Sequence, residues 1–367
     1  MPAPSESSTI DAEVAVHVED ALSRYLAARG AALAERAPAF GVAIDALTGF
    51  VLGGGKRIRP TFAWWGWRGA GGAPDGDVAD AVLHAVSALE LLQACALVHD
   101  DLMDASAVRR GAPTVHLAFA GRHRAEGWLG DPDRFGAAAA ILIGDLAMSW
   151  AEDMFADSGL PAVLLAAARE PWQAMRSEVL AGQYLDVLTQ ATGDESVTAA
   201  LRVARMKTAA YTVERPLHLG AALAGADVAT VTAVRRFGAD IGVAFQLRDD
   251  LLGVFGDTRA TGKPAGDDLR EGKRTLLVAL GLQRAEQAGR HADAAALRAG
   301  LGDQRLAPAS IERIRAALVD VGAVAAVEHR IDQLTSAAMA ALDGAELADP
   351  AATRLAALAV AATTRDR

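Results

Sequence analysis

The chain has 367 residues, 52% of them hydrophobic, and a net charge of −10. It can therefore bury a large core, and its acidity argues against non-specific nucleic-acid binding. Its one cysteine, Cys95, excludes an intrachain disulfide, "MPAPSESSTIDAEV" lacks the pattern of a signal peptide, and no stretch supplies 18 uncharged apolar residues, so a cytoplasmic protein without a membrane span is expected.

Ala is abundant and Asn is absent, a composition that favours helix. Residues 1–9 are expected to be disordered and 10–367 to form one domain, because no Ser-, Pro- or Gly-rich linker divides them. Helical periodicity recurs along the chain, and β-branched alternation between hairpin turns is missing. Helices are predicted over 10–37 and 41–52. The segment "GGGKRIRP" then sets Lys56, Arg57 and Arg59 after three glycines, where flexible backbone N–H groups and fixed cations can form an anion cradle. Its spacing is not that of a P-loop, and no strand precedes it. The next helix, 57–68, carries "WWGW" (64–67), whose tryptophans suit a core or an interface.

A long apolar helix over 77–104 ends in "HDDLMD". Asp100 and Asp104 share a face four residues apart, at the helix end where the dipole is already negative. They repel each other and call for compensation by metal cations or basic side chains. Hard oxygen ligands on a rigid helix suit Mg²⁺ that keeps water and shares substrate phosphates. Arg109 and Arg110 follow in "RRG". Helices over 134–157, 161–190, 197–224 and 228–255 come next, with Lys207 and Thr208 in the third. The fourth ends in "RDDLLGVFGD", where Asp249 and Asp250 stand side by side and Gly253 lies one turn on. Lys263 in "TGKP" and Lys273 in "EGKRT" come next, with helices over 273–288, 291–301, 308–343 and 350–363; residues 290–367 carry no motif and look like amphipathic packing helices. Each charged group alone is more often a solvated helix end or a surface charge. Together they describe two acidic walls and a set of cations around a diphosphate site. The expected architecture is all-α, a single large helical bundle around a deep central cavity.

In order along the chain, "GGKRIRP" (54–60), "ELLQACALVHDDLMDASAVRRG" (90–111), "GQYLD" (182–186), "KT" (207–208), "FQLRDDLLGVFGD" (245–257), "GKPAGDD" (262–268) and "EGKRT" (271–275) resemble the trans-isoprenyl diphosphate synthases, or polyprenyl synthetases, and more closely the geranylgeranyl diphosphate synthases of actinobacteria. The resemblance implies a homodimeric transferase. It would join an allylic diphosphate (dimethylallyl, geranyl or farnesyl) head-to-tail, 1′–4, to isopentenyl diphosphate. It implies three Mg²⁺, for which Mn²⁺ can substitute. Asp100, Asp104 and Asp249 would be metal ligands, and Asp101, Asp250 and Asp268 would support metal-bound water. Asp186 would face the same cluster with Gln183 beside it. Arg109, Lys207 and Lys263 would hold the allylic diphosphate, and Lys56, Arg59, Gln93 and Arg110 the isopentenyl diphosphate; Arg57 of the cradle is counted with the substrate-binding residues. Lys273 would close over the leaving group. Oxygens of Lys207, Thr208 and Gln246 would stabilise the allylic cation in a dry site.

The growing chain would run from Asp100 down helix 77–104, about one turn (~5.4 Å) per five-carbon unit. Small residues, Cys95 and Ala96, leave the first turn open, and Leu92, then Leu89 and Ala88, come next. Twenty carbons are expected, with fifteen or a longer chain as alternatives. Three rivals share features of this pattern. A class I terpene cyclase would carry an Asn/Asp-Ser/Thr-Glu metal motif and no "GGKR". A head-to-head synthase would also lack "GGKR". A non-catalytic partner subunit would have lost acids or cations that are all present here. Gly253 stands where relatives usually carry the third Asp of the second motif, a departure familiar among actinobacterial members. That carboxylate is expected to order metal-bound water, so its loss should matter modestly and Gly253→Asp should change little. Asp257 is a poor substitute, since it lies ~10 Å further along the helix than Asp250.

Overall fold

The computed structural model describes residues 10–256 and 266–364. They form helices α1 (Val14–Arg36), α2 (Gly41–Leu52), α3 (Ile58–Gly69), α4 (Asp77–Met103), α5 (Val115–Ala125), α6 (Pro132–Ala156), α7 (Ala162–Thr192), α8 (Val197–Val203), α9 (Arg215–Leu223) and α10 (Val228–Phe255). Beyond α10 come α11 (Asp267–Glu271), α12 (Leu276–Gln287), α13 (His291–Gly300), α14 (Pro308–Asp320), α15 (Ala323–Asp343) and α16 (Ala351–Thr363). The all-α expectation holds, with one small addition. Strands β1 (Val108–Arg109) and β2 (Ala112–Pro113) pair antiparallel in a hairpin just after the first aspartate cluster.

Four parts of the chain differ from expectation. The stretch 197–224, read as one helix, is α8, then a π-helix over Ala204–Glu214, then α9. The stretch 308–343 breaks at Gly322, whose φ of 72° ends one helix and starts the next. Helices α5 and α11 were not anticipated, because "VHLAFAGRHRA" mixes His, Gly and Arg with its apolar residues and "DDLRE" is a single turn.

Two apolar clusters hold the helices together. The larger takes in Ile10, α1 to α4, α6, the first half of α10, the end of α15 and α16, and the smaller takes in Ala200, the second half of α10, α12 to α14 and the first part of α15. Helix α10 belongs to both, its first half to one and its second to the other. By length and composition alone α4 and α6 could each cross a membrane, but 72% of the apolar window of α4 is buried inside the protein, against 44% for α6. Burial therefore accounts for the apolarity of α4. Helix α6 lays Ile143, Ala147, Trp150 and Met154 into the larger cluster and leaves Ile141 and Leu142 exposed.

Glycines set the depth of the π segment. A β-carbon on Gly182 of α7 would fall inside 3.0 Å of the Lys207 backbone, and one on Gly242 of α10 inside 3.0 Å of the Ala209 backbone. The π segment is thus clamped between two helices that approach it backbone to backbone. A π-helix widens the turn and shifts its hydrogen bonds to i→i+5, a distortion found often at functional sites.

Candidate active site

The first acidic wall is the C-terminal turn of α4. Asp100 is 14% exposed at its side chain and receives two donors: Lys207 Nζ at 2.8 Å and Gln183 Nε2 at 3.0 Å from its Oδ1. Lys207 also lies 2.6 Å from Asp186 Oδ2, so its ammonium joins α4 to α7. Burial alone would raise the Asp100 carboxyl, but Lys207, Lys273 and Arg109 outweigh it and hold the group well below the usual carboxylate range. Asp104 caps the helix and goes the other way: burial, then the charge of Asp100, push it up to about 7. Its Oδ2 is buried without a hydrogen-bond partner.

The second wall is the end of α10. Asp249 is half-buried; Asp250 is buried and accepts Gln246 Nε2 at 2.6 Å. Burial, then the charge of Asp268, lift the Asp250 carboxyl to about 8. Lys273 spans the walls, with its Nζ 3.7 Å from Asp104 Oδ2, 3.4 Å from Asp268 Oδ1 and 2.5 Å from Glu271 Oε2. Burial would lower Lys273, but this acidic company raises it well above the usual value. Two lysines therefore sit among the carboxylates of facing elements, where positive charge is most needed.

Among the described residues, no three His, Cys, Asp or Glu side chains converge into a self-contained metal cage. The donor set still fits a hard divalent cation: all oxygen, spread over two walls, with raised carboxyls and a buried Asp104 oxygen lacking a hydrogen bond. Mg²⁺ is commonly held this way, by one or two carboxylates together with water and substrate phosphates.

The basic groups divide into those that reach the site and those that brace it. Arg59, Gln93, Lys207 and Thr208 line one cavity with Asp100. Arg59 stacks 4.3 Å over the Tyr211 ring and donates to Thr212 Oγ1 at 2.8 Å. The Tyr211 hydroxyl donates to Gln93 Oε1 at 2.8 Å, which leaves the amide nitrogen of Gln93 as its other end. Tyr211 was missed by sequence reasoning, although it lies one turn after Lys207. Lys56 and Arg110 are exposed, and Arg110 Nη1 donates to the Gly54 carbonyl at 2.6 Å, tying the glycine loop to the hairpin. The only non-glycine residues with left-handed φ among those described, Arg57 (48°), Ala105 (52°) and Arg110 (53°), all lie in these two loops. Such strain, roughly 1–3 kcal/mol each, gathers where function demands a shape.

Three expected site residues stand elsewhere. Arg57 does not join the anion cradle. It is 2% exposed, with Nη1 2.9 Å from Glu90 Oε2 and Nη2 3.5 Å from Glu19 Oε2. A carboxylate inside apolar α4 needs a partner, and the left-handed turn at Arg57 supplies it. Arg57→Ala is therefore expected to destabilise the fold by about 3–5 kcal/mol, the effect of orphaning a buried charge. Denaturant melts check this; an unchanged midpoint with a raised KM for isopentenyl diphosphate would return Arg57 to the cradle. Asp101, 1% exposed, faces Arg109, accepting from its Nε at 2.7 Å with Nη2 at 2.6 Å, and so orients that arginine instead of facing the cavity. Gln246 is committed to Asp250 and does not line the cavity with Lys207 and Thr208. Lys263 and Asp257 lie outside the described residues.

Below the polar end the cavity is apolar. Cys95, Ala96 and Leu92 line it as expected, and Met148 of α6 and Val179 of α7 face them. Leu89 and Ala88 do not take part; both are fully buried in the core. The place of Gly253 is not open either. A β-carbon there would come within 3.0 Å of all three carboxylate atoms of Asp268, so the expected neutrality of Gly253→Asp is withdrawn: the added side chain would have to displace Asp268.

The model of the family described as polyprenyl synthetase matches residues 43–315. The fold superimposes on a geranylgeranyl pyrophosphate synthase from Corynebacterium glutamicum, a crystal structure complexed with isoprenyl diphosphate and magnesium, with a TM-score of 0.92 and 49% identity over 95% of this chain and 98% of that one. A geranylgeranyl diphosphate synthase of Mycobacterium tuberculosis is 34% identical over 79% of this chain and 75% of its own length. A (2E,6E)-farnesyl diphosphate synthase of Mycobacterium bovis is 36% identical over 64% of this chain and 59% of its own. With the two acidic walls, the bridging lysines and the apolar cavity in place, the match over most of the chain is conclusive: the protein belongs to the polyprenyl synthetase family.

Proposed function

We propose that the protein is a Mg²⁺-dependent prenyltransferase that elongates an allylic diphosphate with isopentenyl diphosphate and makes geranylgeranyl diphosphate. The single observation behind this reading is the meeting of Asp100, Lys207 and Arg59 at the mouth of an apolar cavity. Such a cavity can take an anionic head at the top and a hydrocarbon tail below. Asp100, Asp104 and Asp249 would hold the cations, which supply Lewis-acid stabilisation of the departing diphosphate. Lys207 and Arg109 hold the allylic diphosphate, and Lys56, Arg59, Arg110 and Gln93 hold isopentenyl diphosphate.

The allylic C–O bond breaks, and its electrons leave with the diphosphate. The isopentenyl double bond then attacks the allylic carbon, and a proton is lost from the new chain. His99 lines the cavity, but its Nε2 is 3.1 Å from the Ile141 carbonyl and its Nδ1 3.7 Å from Cys95 Sγ. With His99 so engaged, the released diphosphate is the proton acceptor. The apolar lining of the cavity would keep water from the cation. The protein is expected to work in the cytoplasm as a homodimer.

Diphosphate release by the purified protein alone, with Mg²⁺ and both substrates, tests the reaction. Release without isopentenyl diphosphate would indicate a cyclase, and silence until a second subunit is added would indicate a partner subunit. Cavity depth has its own test. Cys95→Phe sets a ring into the first turn below Asp100 and is expected to shift the main product from twenty carbons to fifteen or ten, read by chromatography of the dephosphorylated products. An unchanged distribution would place the chain elsewhere.

A further inference from the structure

The π-helix over Ala204–Glu214 has two working faces. Lys207, Thr208 and Tyr211 line the cavity. Ala209 and Glu214 instead meet α10, where a β-carbon on Gly242 or Gly238 would fall 2.6 Å from the Cα it faces. At the end of the segment the Arg215 N–H bonds the Ala210 carbonyl, five residues back. Along its length Arg205 Nη2 pairs with Glu214 Oε2, nine positions on. In an α-helix nine residues make two and a half turns, so these side chains would point from opposite faces, ~13.5 Å apart along the axis. Bonds at i→i+5 lengthen each turn by nearly one residue, so nine residues come to about two turns and the two side chains share a face. The pair is therefore a contact of the π register. Glu214 is 4% exposed at its side chain and also accepts from Arg235 of α10, whose Nη2 is 3.0 Å away. The adjoining Arg215 is committed elsewhere, with its Nη2 2.6 Å from Glu178 Oε1.

We propose that the Arg205–Glu214 ion pair is a register lock: it holds 204–214 in the π form and so places Tyr211 against the residues that receive isopentenyl diphosphate. Lys207 is pinned independently, by Asp100 and Asp186. With Lys207 fixed, a change from π to α turns Tyr211, four residues on, by roughly a fifth of a turn about the helix axis. The Tyr211 hydroxyl would then leave Gln93 Oε1, 2.8 Å away in the π form, and its ring would leave the Arg59 guanidinium, 4.3 Å from the ring centre. Neither Arg205 nor Glu214 lines the cavity; both act through Tyr211, as positioning residues. The assignment of Arg59 and Gln93 to isopentenyl diphosphate rests on the proposed reaction, whereas the register of the segment does not.

Two arginines that share one partner make the test. Arg205 and Arg235 are 40% and 39% exposed and both pair with Glu214, but only Arg205 belongs to the π segment. Arg205→Gln is expected to raise KM for isopentenyl diphosphate about tenfold and to leave KM for the allylic diphosphate within about twofold. Arg235→Gln removes an ion pair of the same kind and is expected to leave both constants within about twofold. Arg205→Lys keeps the charge and should return KM to within about threefold of the starting protein. Glu214→Asp shortens the arm of the pair and should act like Arg205→Gln. The register is also read without substrates, by fluorine NMR of protein labelled with fluorotyrosine. The chain has three tyrosines, and Tyr211→Phe assigns the signal of interest. That signal is expected to shift in Arg205→Gln and to keep its place in Arg235→Gln, with Tyr25 and Tyr184 unmoved in both. Equal effects from the two arginine variants, a KM that rises alike for both substrates, or a Tyr211 signal unmoved in Arg205→Gln would overturn the lock. The two layers fail differently: a Tyr211 signal that moves as expected, in a protein that never condenses substrates, would refute the proposed reaction and leave the lock standing.

Discussion

Asp249→Ala is expected to lower kcat/KM by about 10³-fold while leaving the fold intact. That factor corresponds to about 4 kcal/mol of transition-state stabilisation, the scale of several kcal/mol expected when a metal that stabilises a departing charge loses its anchor. Asp249 is half-buried on the last turns of α10, and its neighbour cannot take over. Asp250 is 6% exposed and already accepts Gln246 at 2.6 Å, so its carboxyl is fixed in a direction of its own. Asp268 sits one turn further, above Gly253. Removing Asp249 thus leaves a gap in the wall that neither neighbour reaches. Diphosphate release at saturating Mg²⁺ reads the effect, and the Tm serves as control. Near-normal turnover would mean that α10 is not a metal wall.

Lys207→Ala should be nearly as damaging, and it should be visible in stability as well as in rate. The ammonium lies 2.8 Å from Asp100 and 2.6 Å from Asp186, in surroundings that leave it 21% exposed. Burial would lower its pKa, yet Asp100 and Asp186 raise it, so it is charged at any working pH. Without it, the carboxylates of α4 and α7 lose the cation they share, and Asp100 keeps only Gln183 at 3.0 Å and Arg109 at 3.6 Å. The fold should lose about 3–5 kcal/mol in the absence of Mg²⁺, as when a buried pair is broken, and added Mg²⁺ should return more Tm to the variant than it gives the parent. The rate should fall about 10²- to 10³-fold, since a fixed cation at a developing anion is worth that much. Calorimetric melts with and without Mg²⁺ separate the two effects. Equal Mg²⁺ responses in parent and variant would show that Lys207 does not share the cation site.

The acidic walls and most of the cations were legible because their chemistry is written as local spacing. Asp100 and Asp104 share a helical face, and "KT" and "EGKRT" are short and charged. What was not legible depends on through-space contacts. Arg57 reads like its neighbours in "GGGKRIRP", and only the fold reveals the carboxylate of Glu90 that draws it inward. Met148 reads as an ordinary residue of α6 until α4 is laid beside it. The π segment has the composition of an α-helix; its widened turn follows from the close approach of α7 and α10, which the glycines 182 and 242 permit. Gly253 shows the limit most clearly. Within its own motif it is a missing acid, and nothing local says that residue 268 occupies the gap. Helix α5 was lost for a different reason: eleven residues with scattered His, Gly and Arg give no apolar stripe, and the helix is held by packing onto α6 through Val115, Phe119 and Ala120.

The reading of the cavity as an elongation site is tested most directly by product analysis. Purified protein would be given labelled isopentenyl diphosphate, Mg²⁺ and, in separate reactions, dimethylallyl, geranyl or farnesyl diphosphate, and the products dephosphorylated and sized. A predominant twenty-carbon alcohol from each accepted starter is the expected result. Products mostly of thirty carbons or longer would contradict the twenty-carbon assignment, and no labelled prenyl product from any starter would contradict the proposed reaction itself.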